Sequence, residues 1–131
     1  MKFLLLQNYQ GGAGCDVPMD QWSPADIKAH IDFQLTLNQE LLDKGELVDA
    51  QGLAAPATFV TFDGVGSPVV TDGPFPESKE LLAGYRMVDV ESAERAIEIA
   101  ARASAAPGQH GVPIQQPIEV RQVMTAPSID L

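Results

Sequence analysis

Thr71-Asp72-Gly73-Pro74-Phe75-Pro76-Glu77-Ser78-Lys79-Glu80-Leu81-Leu82-Ala83-Gly84-Tyr85 is the stretch around which the rest of the chain arranges itself. Pro74 and Pro76 fix two φ angles and remove two backbone donors, so this is a stiff loop rather than a slack one. Phe75 sets a large apolar ring between them, where it can anchor the loop. A run of strand formers, Pro68-Val69-Val70-Thr71, enters the loop, and Ala83-Gly84-Tyr85-Arg86-Met87-Val88-Asp89-Val90 leaves it as another strand. A rigid loop that holds a carboxylate between two strands is a favourable place for a site. Asp72 also has a structural reading, because Asp ahead of Gly-Pro accepts backbone N–H bonds and locks its own turn. Gly84 marks a close backbone or ligand approach, or a bulge.

Towards the N-terminus, Ala57-Thr58-Phe59-Val60-Thr61-Phe62 is rich in strand formers, and Asp63-Gly64-Val65-Gly66-Ser67 reads as the turn that joins it to Val69 and Val70 in a hairpin. Residues 46–49 read as a short strand. Before them lies a helix of roughly 20 residues, or ~30 Å. Ser23 caps it, Pro24 suits its first position, Asp26 favours the positive end of its dipole, and Gly45 stops it. At ~100° per residue, Ile27, Ile31, Leu35 and Leu42 share one arc, which Phe33, Leu37 and Leu41 extend. Lys28, Asp32, Thr36, Gln39, Glu40 and Asp43 occupy the solvated arc. His30, Gln34 and Asn38 fall within the apolar arc at i, i+4 and i+8. Burying each without a partner costs ~1–3 kcal/mol, so this polar ridge calls for partners, water or a ligand. The continuous apolar run at residues 2–7 is that of a central, doubly covered strand.

Towards the C-terminus, Ser92-Ala93-Glu94 opens a second helix that runs to about residue 103, with Ala93, Ala96, Ile97 and Ala100 as its small inner face. Residues 109–112 read as a loop, and residues 114–124 as the last strand, with Pro117 marking a bulge or edge position. Residues 1–124 form one domain and 125–131 a tail. The order β-α-β, hairpin, β-α-β predicts a ferredoxin-like α+β sandwich: an antiparallel sheet with two helices on one face. The other face needs cover, and a second copy is the simplest source, so a homodimer is expected.

Composition narrows the function classes. The net charge of −10, from 18 acidic and 8 basic residues, disfavours nucleic acid as a direct partner. No apolar run approaches the ~18 residues of a membrane span, and the run at residues 3–6 is too short for a signal h-region. The lone Cys15 cannot form an internal disulfide, which fits a reducing cytoplasm. The glycines at 11, 12 and 14 lack the G-x-G-x-x-G spacing, since position 17 is Val. No metal-ligand spacing or hydrolase motif occurs, and His30 and His110 are far apart, so neither a metal nor an organic cofactor is expected.

The run from Thr71 to Tyr85, with Asp72-Gly73-Pro74-Phe75 at its head, resembles the signature of DGPF-domain proteins in the YCII-related family. The resemblance implies a fold of dimeric α/β-barrel type whose sheets pack face to face. It also implies a His–Asp pair in a cleft. His30 and Asp72 are then the candidate catalytic residues, with Gln34, Asn38, Phe75 and Tyr85 as candidate ligand contacts. Two functions from different classes follow. One is a cofactor-independent small-molecule enzyme of lyase or isomerase type, with His30 as general base and Asp72 orienting it or binding the ligand. The other is a non-catalytic regulatory or accessory protein associated with an extracytoplasmic-function sigma factor.

Overall fold

The computed structural model describes residues 1–8, 14, 17–54, 57–72 and 82–124. In chain order the elements are β1 (Lys2–Asn8), α1 (Pro24–Asp43), β2 (Leu47–Gly52), β3 (Thr58–Thr61), β4 (Val69–Asp72), β5 (Leu82–Asp89), α2 (Ala93–Ser104) and β6 (Ile118–Gln122). Four of the strands form one antiparallel sheet in the order β2-β5-β1-β6. This is the expected ferredoxin-like α+β arrangement, two interleaved βαβ halves with both helices on one face. The pair β3–β4 forms a separate two-stranded sheet between the halves, with Phe59 opposite Thr71 and Val60 opposite Val70.

Alternation along the central strands sorts the side chains. Phe3 and Leu5 of β1 and Val88 of β5 point to the helices and join Leu37 and Leu41 of α1 and Ala96, Ile99, Ala100 and Ala103 of α2 in the main core. Leu4, Leu6, Tyr85 and Met87 take the intervening positions on the opposite face and are half-buried. Small residues let α2 lie close to the sheet, but its buried stripe is rotated from the expected one. Ile99 and Ala103 are inside, whereas Ala93 and Ile97 are exposed.

Both ends of α1 follow from their caps. The Ser23 side chain accepts from Asp26 N at 3.2 Å. At the far end, Gly45 adopts φ +71°, its N–H donates to Leu42 O at 3.0 Å, and Glu46 N–H donates to Leu41 O at 2.8 Å. Those paired bonds satisfy two of the last carbonyls of the helix and turn the chain into β2. The stop uses residue 46, so β2 begins at Leu47 and runs to Gly52 rather than over 46–49. β6 is likewise shorter than the expected strand over residues 114–124, and at its start Gln115 takes φ +55°, outside strand conformation.

Glu46 then ties the two halves together. Arg95 of α2 donates to both its oxygens, Nε to Oε2 at 2.9 Å and Nη2 to Oε1 at 2.8 Å. These hydrogen bonds, followed by the attraction of the Arg95 charge, hold the Glu46 carboxyl below its ordinary value against the opposing effect of burial. A depressed carboxyl contributes stability that is fully present above its unfolded value near 4.5 and is lost as pH falls through the folded value. Glu46→Gln is therefore expected to cost about 1–3 kcal/mol at neutral pH. Urea titrations should show that gap shrinking steadily below about pH 4.5. A gap that does not change with pH would mean that packing, not charge, sets the cost.

Candidate functional site

The site begins with missing side chains. On the helix-facing side of β5, Gly84 and Arg86 share the alternation of Val88, and β2 places Gly52 opposite Gly84 and Ala50 opposite Arg86. The sheet floor there holds two glycines, an alanine and one arginine. A Cβ built on Gly84 would lie 2.8 Å from the Gln51 carbonyl oxygen, so the close approach of β2 requires glycine. A Cβ built on Gly52 meets nothing within 4 Å. The result is a cavity of about 250 Å³ between α1 and the β2–β5 edge. His30, Gln34 and Asn38 line it from α1, and Gln7, Gln51, Ala83 and Tyr85 complete its walls.

The polar ridge of α1 finds its partner in Arg86, which is only 6% exposed. Arg86 Nε donates to Asn38 Oδ1 at 2.7 Å, and Nη2 donates to Gln34 Oε1. The other end of the Gln34 amide directs its N–H at His30 Nε2, 3.4 Å away. His30 Nδ1 lies 2.9 Å from the Pro107 carbonyl oxygen. A carbonyl can only accept, so Nδ1 carries the proton and Nε2 the lone pair. The result is one directed chain: Arg86 to Gln34, Gln34 to His30, His30 to the backbone. Burial pushes the Arg86 guanidinium below its ordinary value, although arginine stays a cation throughout.

A second, smaller core fixes the accepting carbonyl. Trp22, Ala106 and Ile114 are buried together, with Val17, Ile27 and Phe33 against them. Ile114 N–H donates to Ala106 O at 2.9 Å and Gly108 N–H to Val112 O at 2.7 Å, which folds residues 106–114 back over the first turns of α1. His110 N–H donates to Asp26 Oδ2 at 3.0 Å and pins the tip of that loop to the start of the helix. Trp22 meets the His30 ring edge-on, with centroids 5.7 Å apart and planes at 77°. Trp22 is itself held by its indole N–H donating to Val17 O at 2.9 Å.

Four of the six residues singled out from sequence, His30, Gln34, Asn38 and Tyr85, therefore line one cavity. Asp72 sits at the end of β4, exposed, with Thr58 Oγ1 donating to its Oδ1 over a long 3.5 Å. Among the described residues it makes no hydrogen bond to His30 and is not one of those lining the cavity. Phe75 and the rest of residues 73–81 lie outside the described residues. The Tyr85 hydroxyl points to the other face of the sheet and donates to Asp49 Oδ2 at 2.7 Å. That bond raises the phenol and lowers the carboxyl relative to their ordinary values, which makes Tyr85 a poorer acid. Among the described residues no group of three or more His, Cys, Asp or Glu side chains converges in metal-binding fashion. Arg86 is the residue that sequence reasoning missed. Its signal was parity: two positions before Val88, it shares the core-facing side of β5.

A family model described as the YCII-related domain matches residues 1–114. No curated protein matches the chain.

Proposed function

This chain belongs to the YCII-related domain family, and on that premise we propose that it binds a compact organic molecule in the cavity under α1 and moves a proton on it with His30. The reaction class is cofactor-independent isomerisation or elimination. His30 Nε2 takes a proton from a carbon made acidic by a neighbouring carbonyl, then returns it to another atom of the same molecule or releases it with a leaving group. The tautomer of His30 carries this reading. With Nδ1–H committed to the Pro107 carbonyl, the basic lone pair is fixed on Nε2, on a residue that lines the cavity. Its contact there, the 3.4 Å approach of Gln34, is long enough for a substrate C–H to displace. Asn38 and Gln34, held by Arg86, orient the ligand without adding charge beside the base.

Exchange in deuterated water tests the reading. Pyruvate and 2-oxobutanoate, incubated with the protein, are expected to lose their C–H protons next to the carbonyl faster than in buffer. His30→Gln should lower that enhancement by about 10²–10⁴-fold, the usual contribution of a positioned base. Bound ligand without any exchange above buffer would end the proton-transfer reading.

A further inference from the structure

Building on that small-molecule reading, we infer that Arg86 makes the cavity a receptor for a small monocarboxylate. The inference rests on where the chain spends its charges. It has four arginines among 18 acidic residues. Three of the four meet carboxylates: Arg95 meets Glu46 and Glu98, Arg102 meets Glu40, and Arg121 approaches Glu119. Arg86 is the most buried of them, and it meets no carboxylate among the described residues.

Its two partners are neutral amide oxygens. They satisfy two donors and fix the plane of the guanidinium, but they do not neutralise it. Nη1 has no partner among the described residues and is the corner left for the cavity that Arg86 lines. A buried cation with no counter-charge is among the least favourable arrangements in a protein, and an anion entering the cavity supplies what is missing. Among the described residues none that lines the cavity is acidic, even though the chain as a whole carries −10. An acidic surface repels anions in general, so a site that takes one must be specific.

The walls narrow the class further. One cation calls for one negative charge. The planar, pre-oriented guanidinium suits the two oxygens of a carboxylate. A cavity of about 250 Å³ suits a ligand of a few carbon atoms or a single small ring. Gln7, Gln34 and Asn38 bring three amide side chains to the lining, so a ligand with a hydroxyl or keto group finds partners that a purely apolar acid does not.

NMR of the arginine Nε–H groups tests this, with four signals to follow and Arg86 assigned by its loss in Arg86→Lys. The probes are lactate, pyruvate and benzoate, with lactamide as the uncharged counterpart of lactate, all at constant ionic strength. Lactate and pyruvate are expected to shift the Arg86 signal saturably in the millimolar range or below. Lactate should bind at least tenfold more tightly than lactamide, and Arg86→Met should erase that preference. The comparison of lactate with lactamide on the unmodified chain stands even if Arg86→Met fails to fold. Equal binding of the two would overturn the carboxylate inference and leave the small-molecule site standing. Chloride or inorganic phosphate binding as tightly as lactate would also overturn it. If lactate binds at Arg86 but no probe undergoes C–H exchange, the proton-transfer reading falls and the carboxylate site stands.

Discussion

Sedimentation equilibrium at micromolar concentration is expected to return about twice the 14.0 kDa mass of one chain. Leu6→Glu with Met87→Glu should return the single-chain mass. The reason lies on the side of the sheet away from the helices. Leu4 and Leu6 of β1 stand beside Met87 and Tyr85 of β5 in the paired register, forming an apolar strip along the two central strands. Glu119 and Arg121 of β6 flank it on one side and Asp49 and Gln51 of β2 on the other. An apolar centre with a polar rim is the usual anatomy of a subunit interface, and a stable one buries roughly 1,200–2,000 Å² in all. Two carboxylates placed in that strip would face their own images across a two-fold axis, adding like-charge repulsion to the cost of burial. Unchanged circular dichroism would show that the sheet itself survives. A wild-type mass of 14.0 kDa would remove the strip from consideration as an interface between copies.

The second large effect concerns the paired glycines. Gly84→Val is expected to cost about 3 kcal/mol, at the upper end for forcing volume into a packed site. It should also abolish binding of small carboxylates. The obstacle is the Gln51 carbonyl, 2.8 Å from where the Cβ must go, and a backbone carbonyl cannot swing aside as a side chain can. β2 would have to part from β5 at the floor of the cavity. Gly52→Ala, its cross-strand neighbour, should do the reverse and stabilise by about 0.4–1 kcal/mol, because its methyl group meets nothing and the unfolded chain loses freedom. Chemical denaturation of both variants decides the matter. Equal costs at the two positions would contradict the geometry of the pair.

Much of the architecture was legible because local chemistry and long-range packing agree in it. Ser23, Pro24 and Gly45 bound α1 where the caps place it, and the glycine-rich turn at residues 63–67 closes β3 onto β4. The rotation of α1 was harder to read. Ile31, Leu35 and Leu42 look like the centre of a buried stripe yet are 45%, 61% and 54% exposed, while His30, Gln34 and Asn38 turn inward. Periodicity sums hydrophobicity and assumes that the surface beneath is apolar. Here the surface beneath is Arg86 with two glycines, and it holds the polar ridge by hydrogen bonds. Neither half of that arrangement is interpretable alone: the ridge without Arg86 resembles a defect, and Arg86 without the ridge resembles a surface residue. Half of the site was thus visible as a question posed by α1, and the answer lay 48 residues further on, in β5.

The edge-on meeting of Trp22 with His30 also makes the protein its own optical instrument. The chain has a single tryptophan, so its ultraviolet emission comes from one place. That indole is buried, fixed by its N–H to Val17, and set nearly perpendicular to the imidazole that lines the cavity. Any ligand that displaces Gln34 from His30, or shifts the ring, alters the quenching environment of the only strong fluorophore in the molecule. Occupancy of the cavity is therefore readable as a change in emission, with no label attached and no residue replaced.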